Sequence, residues 1–306
     1  MKLEAVQPRA NLTLIAPASY AADERVQLGT ATLEALGYKV KLGEHARARG
    51  PLFFSGTPAD RLADLHAAFA DDAVDAVMCL RGGYGSNYLL GGLDLELIAA
   101  HPKPLFGYSD LTGVQLHLLD KIDLPAFHGP MAAADFYLEQ GVDQKSFAAA
   151  LAGQSYSVSN AEGLRPMRQG NARGVLYGGC LSILVAMLGT PYEPHTEGKL
   201  LFLEDLNAKP YQVDRMLWQM RKAGKFEGVT GILFGEMLDC ASPGADPTLI
   251  EQAILSALDG FEGPIGFGLR SGHVSHHNVT LTFGVEAELT VANEARLTLR
   301  EAMERA

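Results

Sequence analysis

Three stretches of the chain place reactive side chains beside glycines or at the ends of apolar runs. The first is Gly107-Tyr108-Ser109-Asp110, which follows the apolar Pro104–Phe106. A serine at a sharp strand-to-helix junction exposes its hydroxyl, and the unpaired N–H groups of a helix N-terminus lie where an oxyanion would form. Ser and Asp also cap helices, so this pattern alone fits a plain N-cap as well. It is not the GxSxG elbow of the α/β-hydrolases, because Leu111 stands where that motif requires glycine. The second stretch is Arg81-Gly82-Gly83-Tyr84-Gly85-Ser86-Asn87. Its glycines let the backbone approach a ligand closely and present N–H groups to it. The spacing is not GxGxxG and the Gly-Lys-Ser/Thr ending of a phosphate loop is absent, which gives a nucleotide site little support. A backbone oxyanion donor and a simple tight turn both fit. The third pairs Glu204-Asp205, at the end of an apolar run, with Ser271-Gly272-His273-Val274-Ser275-His276-His277. A serine nucleophile needs a base within hydrogen-bond reach, and the base needs a carboxylate to orient it. Ser109, His273 and Glu204 are a chemically sufficient set, although each alone also reads as an ordinary loop or surface residue. Zinc held by His273, His276 and His277 is a rival, but this segment reads as loop and strand, and no second acidic cluster adjoins it.

The elements that must position these residues follow from periodicity. Leu12–Ala16 is an apolar run ended by Pro17, residues 22–36 have helical spacing, and Tyr38–Leu42 alternates as a strand. Residues 58–70 are helical, Val74–Leu80 is a strand running into the glycine stretch, and short helices are expected at 86–90 and 94–100. Pro104–Tyr108 and Leu124–Phe127 are further strands. Alternating strands and helices predict an α/β fold: a mostly parallel sheet covered on both faces, with ligand chemistry at the C-terminal strand ends. The domain so defined spans residues 1–150. Residues 151–172, rich in Gly, Ser and Pro, read as a linker. Residues 173–306 form a second domain, with a helix over 178–188, a strand at Lys199–Leu203, a helix over 210–223, a strand at 229–234 and a helix over 247–258. Alternation from Val279 to Leu299 predicts two or three antiparallel strands.

Composition bounds the function classes. The chain has 306 residues, 25 Lys and Arg against 36 Asp and Glu, and a net charge of −11. Nucleic acid and an anionic membrane surface are therefore poor partners. Hydrophobic residues make up 47% and charged residues 20%, which suits a folded globular chain rather than a disordered one. The cysteines, Cys79, Cys180 and Cys240, are odd in number and far apart. They suggest neither a disulfide framework nor a structural zinc site, and Cys79 and Cys180, in apolar or glycine-rich surroundings, read as small buried thiols. No apolar stretch reaches the roughly 18 residues of a membrane span, and Met1–Ala10 has no apolar signal core, so a reducing cytoplasmic compartment is the expectation.

The motifs taken together resemble the LD-carboxypeptidase family of serine peptidases, the muramoyltetrapeptide carboxypeptidase group. The resemblance runs through LIAPAS (Leu14–Ser19), RGGYGS (Arg81–Ser86), PLFGYSDLT (Pro104–Thr112) and FHGPM (Phe127–Met131). It continues through GGCLSIL (Gly178–Leu184) and LFLEDLNAKPYQVDRML (Leu201–Leu217) to GFGLRSGH (Gly266–His273). It implies a Rossmann-like N-terminal domain and a smaller β-rich C-terminal domain with the active site between them. It also implies a homodimer and no metal or organic cofactor. By the same resemblance Ser109 is the nucleophile, His273 the base and Glu204 the acid. The oxyanion hole is then the backbone of Gly82 and Asp110, and Arg81, Gly83 and Tyr84 contact substrate. The implied substrate is the murein tetrapeptide or muropeptide, which loses its terminal D-alanine in peptidoglycan recycling. A terminal carboxylate calls for a cation, and Arg81 and Lys209 are both candidates.

Two other readings remain open at the level of sequence. Another branch of the family resembles microcin C immunity proteins and cleaves aminoacyl-sulfamoyl-adenylate-like amides with an unchanged triad. Its adenine would want an aromatic platform, whereas Trp218, the only tryptophan, sits in a helical pattern that suggests packing. A catalytically idle two-domain binding protein would use the same cleft.

Overall fold

The computed structural model describes all residues except 1–2, 7–8, 242–245, 247, 302 and 305–306. The strands are β1 Leu3–Glu4, β2 Asn11–Ile15, β3 Lys39–Leu42, β4 Ala76–Cys79, β5 Leu105–Gly107, β6 Ala126–His128, β7 Tyr156–Val158 and β8 Arg165–Arg168. Then come β9 Gly170–Cys180, β10 Lys199–Glu204, β11 Gly231–Gly235, β12 Ile265–Leu269, β13 Leu281–Phe283, β14 Glu286–Val291, β15 Ala295–Leu299 and β16 Met303–Glu304. The helices are α1 Asp23–Ala35, α2 Pro58–Ala70, α3 Leu95–Ala100, α4 Thr112–Ile122, α5 Gln144–Leu151, α6 Leu181–Met187, α7 Pro210–Lys222 and α8 Leu249–Ala257.

Two sheets carry the fold. The first has the order β13-β6-β5-β4-β2-β3, and all its pairings are parallel except β13 against β6. Its inner strands β2 and β4 are apolar and buried along almost their whole length, as a sheet covered on both faces requires. At the edge, β3 alternates between half-buried and exposed positions. The second sheet has the order β7-β15-β14-β9-β10-β11-β12-β8, with a parallel centre from β9 to β12 and antiparallel flanks. A smaller β1-β16 pair is parallel.

The expected linker at 151–172 is corrected by these pairings. It contains β7 and β8, which form the two opposite edges of the second sheet. Edge strands of three and four residues bury little on their outer side, and with serines and glycines around them they look like turn segments in the sequence. The antiparallel strands expected between 279 and 299 do form, but β13 leaves its neighbours and closes the edge of the first sheet. Pro247, in the helix expected over 247–258, lies outside the described residues; α8 itself spans Leu249–Ala257.

Glycine at 178 is dictated by the β9–β10 pairing. Gly178 has φ 137°, and a Cβ there would lie 2.0 Å from the Phe202 carbonyl oxygen. Backbone oxygen cannot yield as a side chain can. Gly178→Ala is therefore expected to destabilise the protein by more than about 3 kcal/mol, measured by urea unfolding.

Candidate active site

The first sheet delivers its reactive groups at the C-terminal ends of β4 and β5, as open parallel sheets do. After β5 the chain turns abruptly at Ser109, whose φ of 65° is left-handed for a non-glycine residue. Such a conformation costs on the order of 1–2 kcal/mol, and it lifts the side chain out of the turn. Ser109 is half-buried, and residues 109–111 form one 3₁₀ turn that leads into α4. Gly82, after β4, lies against it: a Cβ on Gly82 would sit 2.8 Å from Ser109 Cβ and 3.1 Å from its Oγ. Only glycine lets this backbone reach the hydroxyl.

Two buried groups pin the glycine stretch. The Ser86 N–H donates to Asp110 Oδ2 at 2.8 Å, and the Ser86 hydroxyl donates to the Asp110 carbonyl at 2.5 Å. Asp110 thus spends its carboxylate on loop geometry, and burial raises its pKa despite those bonds. Arg61, from α2, is almost wholly buried and donates to the carbonyls of Pro17 and Gly85 at 2.9 and 2.8 Å. Sequence reading misses Arg61, because a lone arginine in an amphipathic helix looks like a solvated residue.

The second sheet delivers the remaining pair. Glu204 ends β10 fully buried, and its Oε2 accepts from the His273 backbone N–H at 3.0 Å and lies 2.8 Å from His273 Nδ1. Gly272 makes room for the carboxylate, since a Cβ at its φ of 88° would lie 2.6 Å from Glu204 Cδ. Burial disfavours both charges, but the pair reverses that: the His273 pKa ends raised and the Glu204 pKa lowered, mainly through their mutual attraction. The Tyr108 ring, one residue before Ser109, packs edge-on against the His273 ring at 5.2 Å between centroids. The nucleophile turn and the His–Glu pair therefore meet across the two sheets. Ser109 is not hydrogen-bonded to His273, a separation common before substrate binds.

Beneath His273 lies a network that the sequence did not disclose. Asn278 donates to the Gly272 carbonyl at 3.1 Å and to Asp135 Oδ1 at 3.0 Å, and its Oδ1 accepts from the Gly272 N–H at 3.0 Å. Asp135 also accepts from the Met131 N–H at 2.8 Å, and burial pushes its carboxyl up to about 6. Asn278 thus clamps the residue before the base to the first sheet's loops. Asn278→Ala should lower kcat roughly 10- to 100-fold with little change in KM, since misplacing a catalytic group by about 1 Å costs that much. Steady-state kinetics on folded protein checks the split.

Other sequence candidates fall elsewhere. His276 and His277 pack edge-on against each other at 5.0 Å between ring centroids, outside the Glu204–His273 pair. The metal-competent group among the described residues is instead Cys180, Glu204 and His273, whose ligand atoms lie within 4.8 Å of one another. Burial, then Glu204 and Asp205, push the Cys180 thiol well up, so it stays protonated. The three cysteines are free and buried, as expected for Cys79 and Cys180. Lys209 precedes α7 and uses its backbone N–H on Gln212. Arg81 is half-buried, and among the described residues no carboxylate pairs with it. Trp218 is 56% exposed on α7, so the packing role expected for it is wrong. His128 of FHGPM is fully buried among Tyr108, Phe202 and Phe283, and burial lowers its pKa to about 4. No helix among the described residues is long and apolar enough to cross a membrane.

Comparison with known families decides the affiliation. Residues 12–129 match the LD-carboxypeptidase N-terminal domain, and residues 173–289 match the LD-carboxypeptidase C-terminal domain. The chain belongs to the LD-carboxypeptidase family. It is 35% identical over 285 residues to a probable murein peptide carboxypeptidase of Bacillus subtilis, covering 92% of this chain and 89% of that one. Among solved structures, a muramoyltetrapeptide carboxypeptidase from Oxalobacter formigenes superposes with a TM-score of 0.86 at 27% identity, over 96% of this chain and 100% of the other. An MccF-like protein from Bacillus anthracis gives a TM-score of 0.90 at 25% identity, over 98% and 99%. The LD-carboxypeptidase domain matches cover the glycine stretch, the Ser109 turn and the Glu204–His273 pair.

Proposed function

We propose that this LD-carboxypeptidase family member is a serine hydrolase of the L,D peptide bond in murein tetrapeptide or muropeptide, releasing D-alanine. The observation that carries the reading is the Glu204–His273 pair, its carboxylate fully buried, joined through the Tyr108 ring to a strained Ser109 turn braced by Gly82. His273 takes the Ser109 proton as Oγ attacks the carbonyl carbon. The N–H groups of Gly82 and Asp110 hold the oxyanion, each worth about 3 kcal/mol of barrier. His273 then passes that proton to the nitrogen of the departing D-amino acid, leaving an acyl ester on Ser109. Water, deprotonated by His273, attacks the ester and restores the hydroxyl. Glu204 steadies the imidazolium in both halves. Arg81, which pairs with no carboxylate among the described residues, binds a carboxylate of the substrate, with Gly83 and Tyr84 beside it. The enzyme works in the cytoplasm on recycled murein, as a homodimer, with no metal or organic cofactor.

A second reading, hydrolysis of aminoacyl-sulfamoyl-adenylate-like amides, draws on the TM-score of 0.90 to the MccF-like protein. The name of the more similar relative, at 35% identity, supports the murein reading. Rates measured side by side on murein tetrapeptide and on an aminoacyl-sulfamoyl adenosine separate the two. Preference for the tetrapeptide supports the first reading, and preference for the adenosine replaces it.

A further inference from the structure

A cavity of about 720 Å³ opens beside Arg81 and Gly83, on the same rim of the first sheet as Ser109, and runs out to Tyr20, Arg49 and Phe53. Its outer wall is a loop after β3 with an unusual backbone. Leu52 and Phe53 are consecutive non-glycine residues with φ of 53° and 66°. Each costs on the order of 1–2 kcal/mol, and the surroundings hold them in place. The Tyr20 N–H donates to the Phe53 carbonyl at 3.0 Å, the Gly50 N–H to the Phe54 carbonyl at 2.8 Å, and the Ser55 N–H to the Ala18 carbonyl at 3.0 Å. The strain is not repaid by packing, because Phe53 is 70% and Leu52 65% exposed. Strained backbone of this kind clusters at ligand clamps and active sites.

The other wall is tied directly to the chemistry. The Tyr84 N–H donates to Ser19 Oγ at 3.1 Å, and Gly83 approaches Ser19 so closely that a Cβ would lie 2.4 Å from that oxygen. Two residues along from Tyr84, Gly82 lies against Ser109. Arg81 and Gly83, the two residues that flank Gly82, line the cavity, so it opens one residue from the backbone that lies against Ser109. Its size falls in the range of about 300–1,000 Å³ that buries a ligand of several groups, far more than a single released amino acid needs. Its charge suits an anion: Arg81 has no carboxylate partner among the described residues, and Arg49 rests over Tyr20 at 4.8 Å with only an exposed contact to Asp23 at 3.4 Å. Asp23 and Glu24 also line it and suit an ammonium.

We propose that this cavity is the acyl-side subsite, which takes the anionic peptide arm preceding the cleaved bond. Phe53 and Tyr84 are its apolar walls, and Arg49 is its outer cation. The inference rests on the carboxypeptidase reading and names which part of the substrate the enzyme measures. The test compares kcat/KM for L-Ala-γ-D-Glu-meso-diaminopimelate-D-Ala with that for meso-diaminopimelate-D-Ala, which keeps the bond and lacks the arm. Wild type should prefer the longer peptide, and Phe53→Ala and Arg49→Gln should each shrink that preference roughly tenfold, chiefly through KM. An unchanged preference in both variants overturns the proposal. A shift of Phe53→Ala from dimer to monomer in sedimentation, with preference intact, also overturns it and assigns the face to a second copy of the chain. If wild type cleaves neither peptide, the carboxypeptidase reading itself fails.

Discussion

Ser109→Ala is expected to lower kcat/KM by at least about 10⁴-fold while leaving stability within about 0.5 kcal/mol of wild type. The two halves of that expectation rest on different observations. The Ser109 hydroxyl is half-buried, Gly82 lies against it, and among the described residues it has no hydrogen-bond partner whose loss would weaken the fold. Alanine also keeps the left-handed backbone, so the turn carries the same strain before and after the change. What disappears is the atom that forms the acyl ester. Tetrapeptide kinetics with thermal unfolding checks both halves. A fluorophosphonate should add its mass at Ser109 in wild type and nowhere in the variant. Activity near the wild-type level in Ser109→Ala would remove the serine from the mechanism.

Glu204→Gln should reduce kcat by about 10³- to 10⁴-fold, the scale on which neutralising a triad acid acts. Glu204 Oε2 serves both the His273 backbone N–H and its ring Nδ1, so the substitution disturbs the orientation and the charge of the base together. The pH profile gives a second readout. Burial pulls the His273 pKa down, but Glu204, with help from Asp205 and Asp135, leaves it raised. A base must be neutral to accept a proton, so kcat/KM in wild type should fall as pH drops through a value above the usual histidine pKa of about 6.5. In Glu204→Gln that acid limb should move to lower pH. The stability linkage has its own sign. The raised His273 pKa stabilises the folded protein fully below about pH 6.5, and that contribution fades as pH rises through the raised value. The lowered Glu204 pKa contributes above its ordinary carboxylate value of about 4.5 and is lost as pH falls through the lowered one. A profile whose acid limb does not move in Glu204→Gln would show that His273 is not the titrating base.

The parts of the fold legible in the sequence are those whose local signals agree with their burial. Residues 58–70 read as a helix and form α2, because Pro58 starts it and the Thr57–Asp60 capping box closes its first turn. The strands β2, β4 and β10 read as apolar runs because both of their faces are covered. Ser109, Glu204 and His273 stood out because each lies at a strand end or beside a glycine. What stayed hidden depends on partners distant in sequence. Tyr156–Val158 and Arg165–Arg168 become strands through pairing with residues about 140 and 100 positions away. β13 looks like its neighbours in sequence and joins the other sheet. Asp135 and Asn278 are ordinary loop residues until the fold brings them to 3.0 Å under the base. The exposure of Trp218 and Phe53 contradicts the usual expectation that large aromatic residues pack inside. At Phe53 the left-handed backbone explains the exposure.

The most direct test measures alanine release from L-Ala-γ-D-Glu-meso-diaminopimelate-D-Ala, beside the same peptide ending in L-alanine, with and without EDTA. The account predicts D-alanine release that EDTA leaves unchanged, no release of L-alanine, and none of either from Ser109→Ala. Release that EDTA stops, or no release from well-folded wild-type protein, would contradict it.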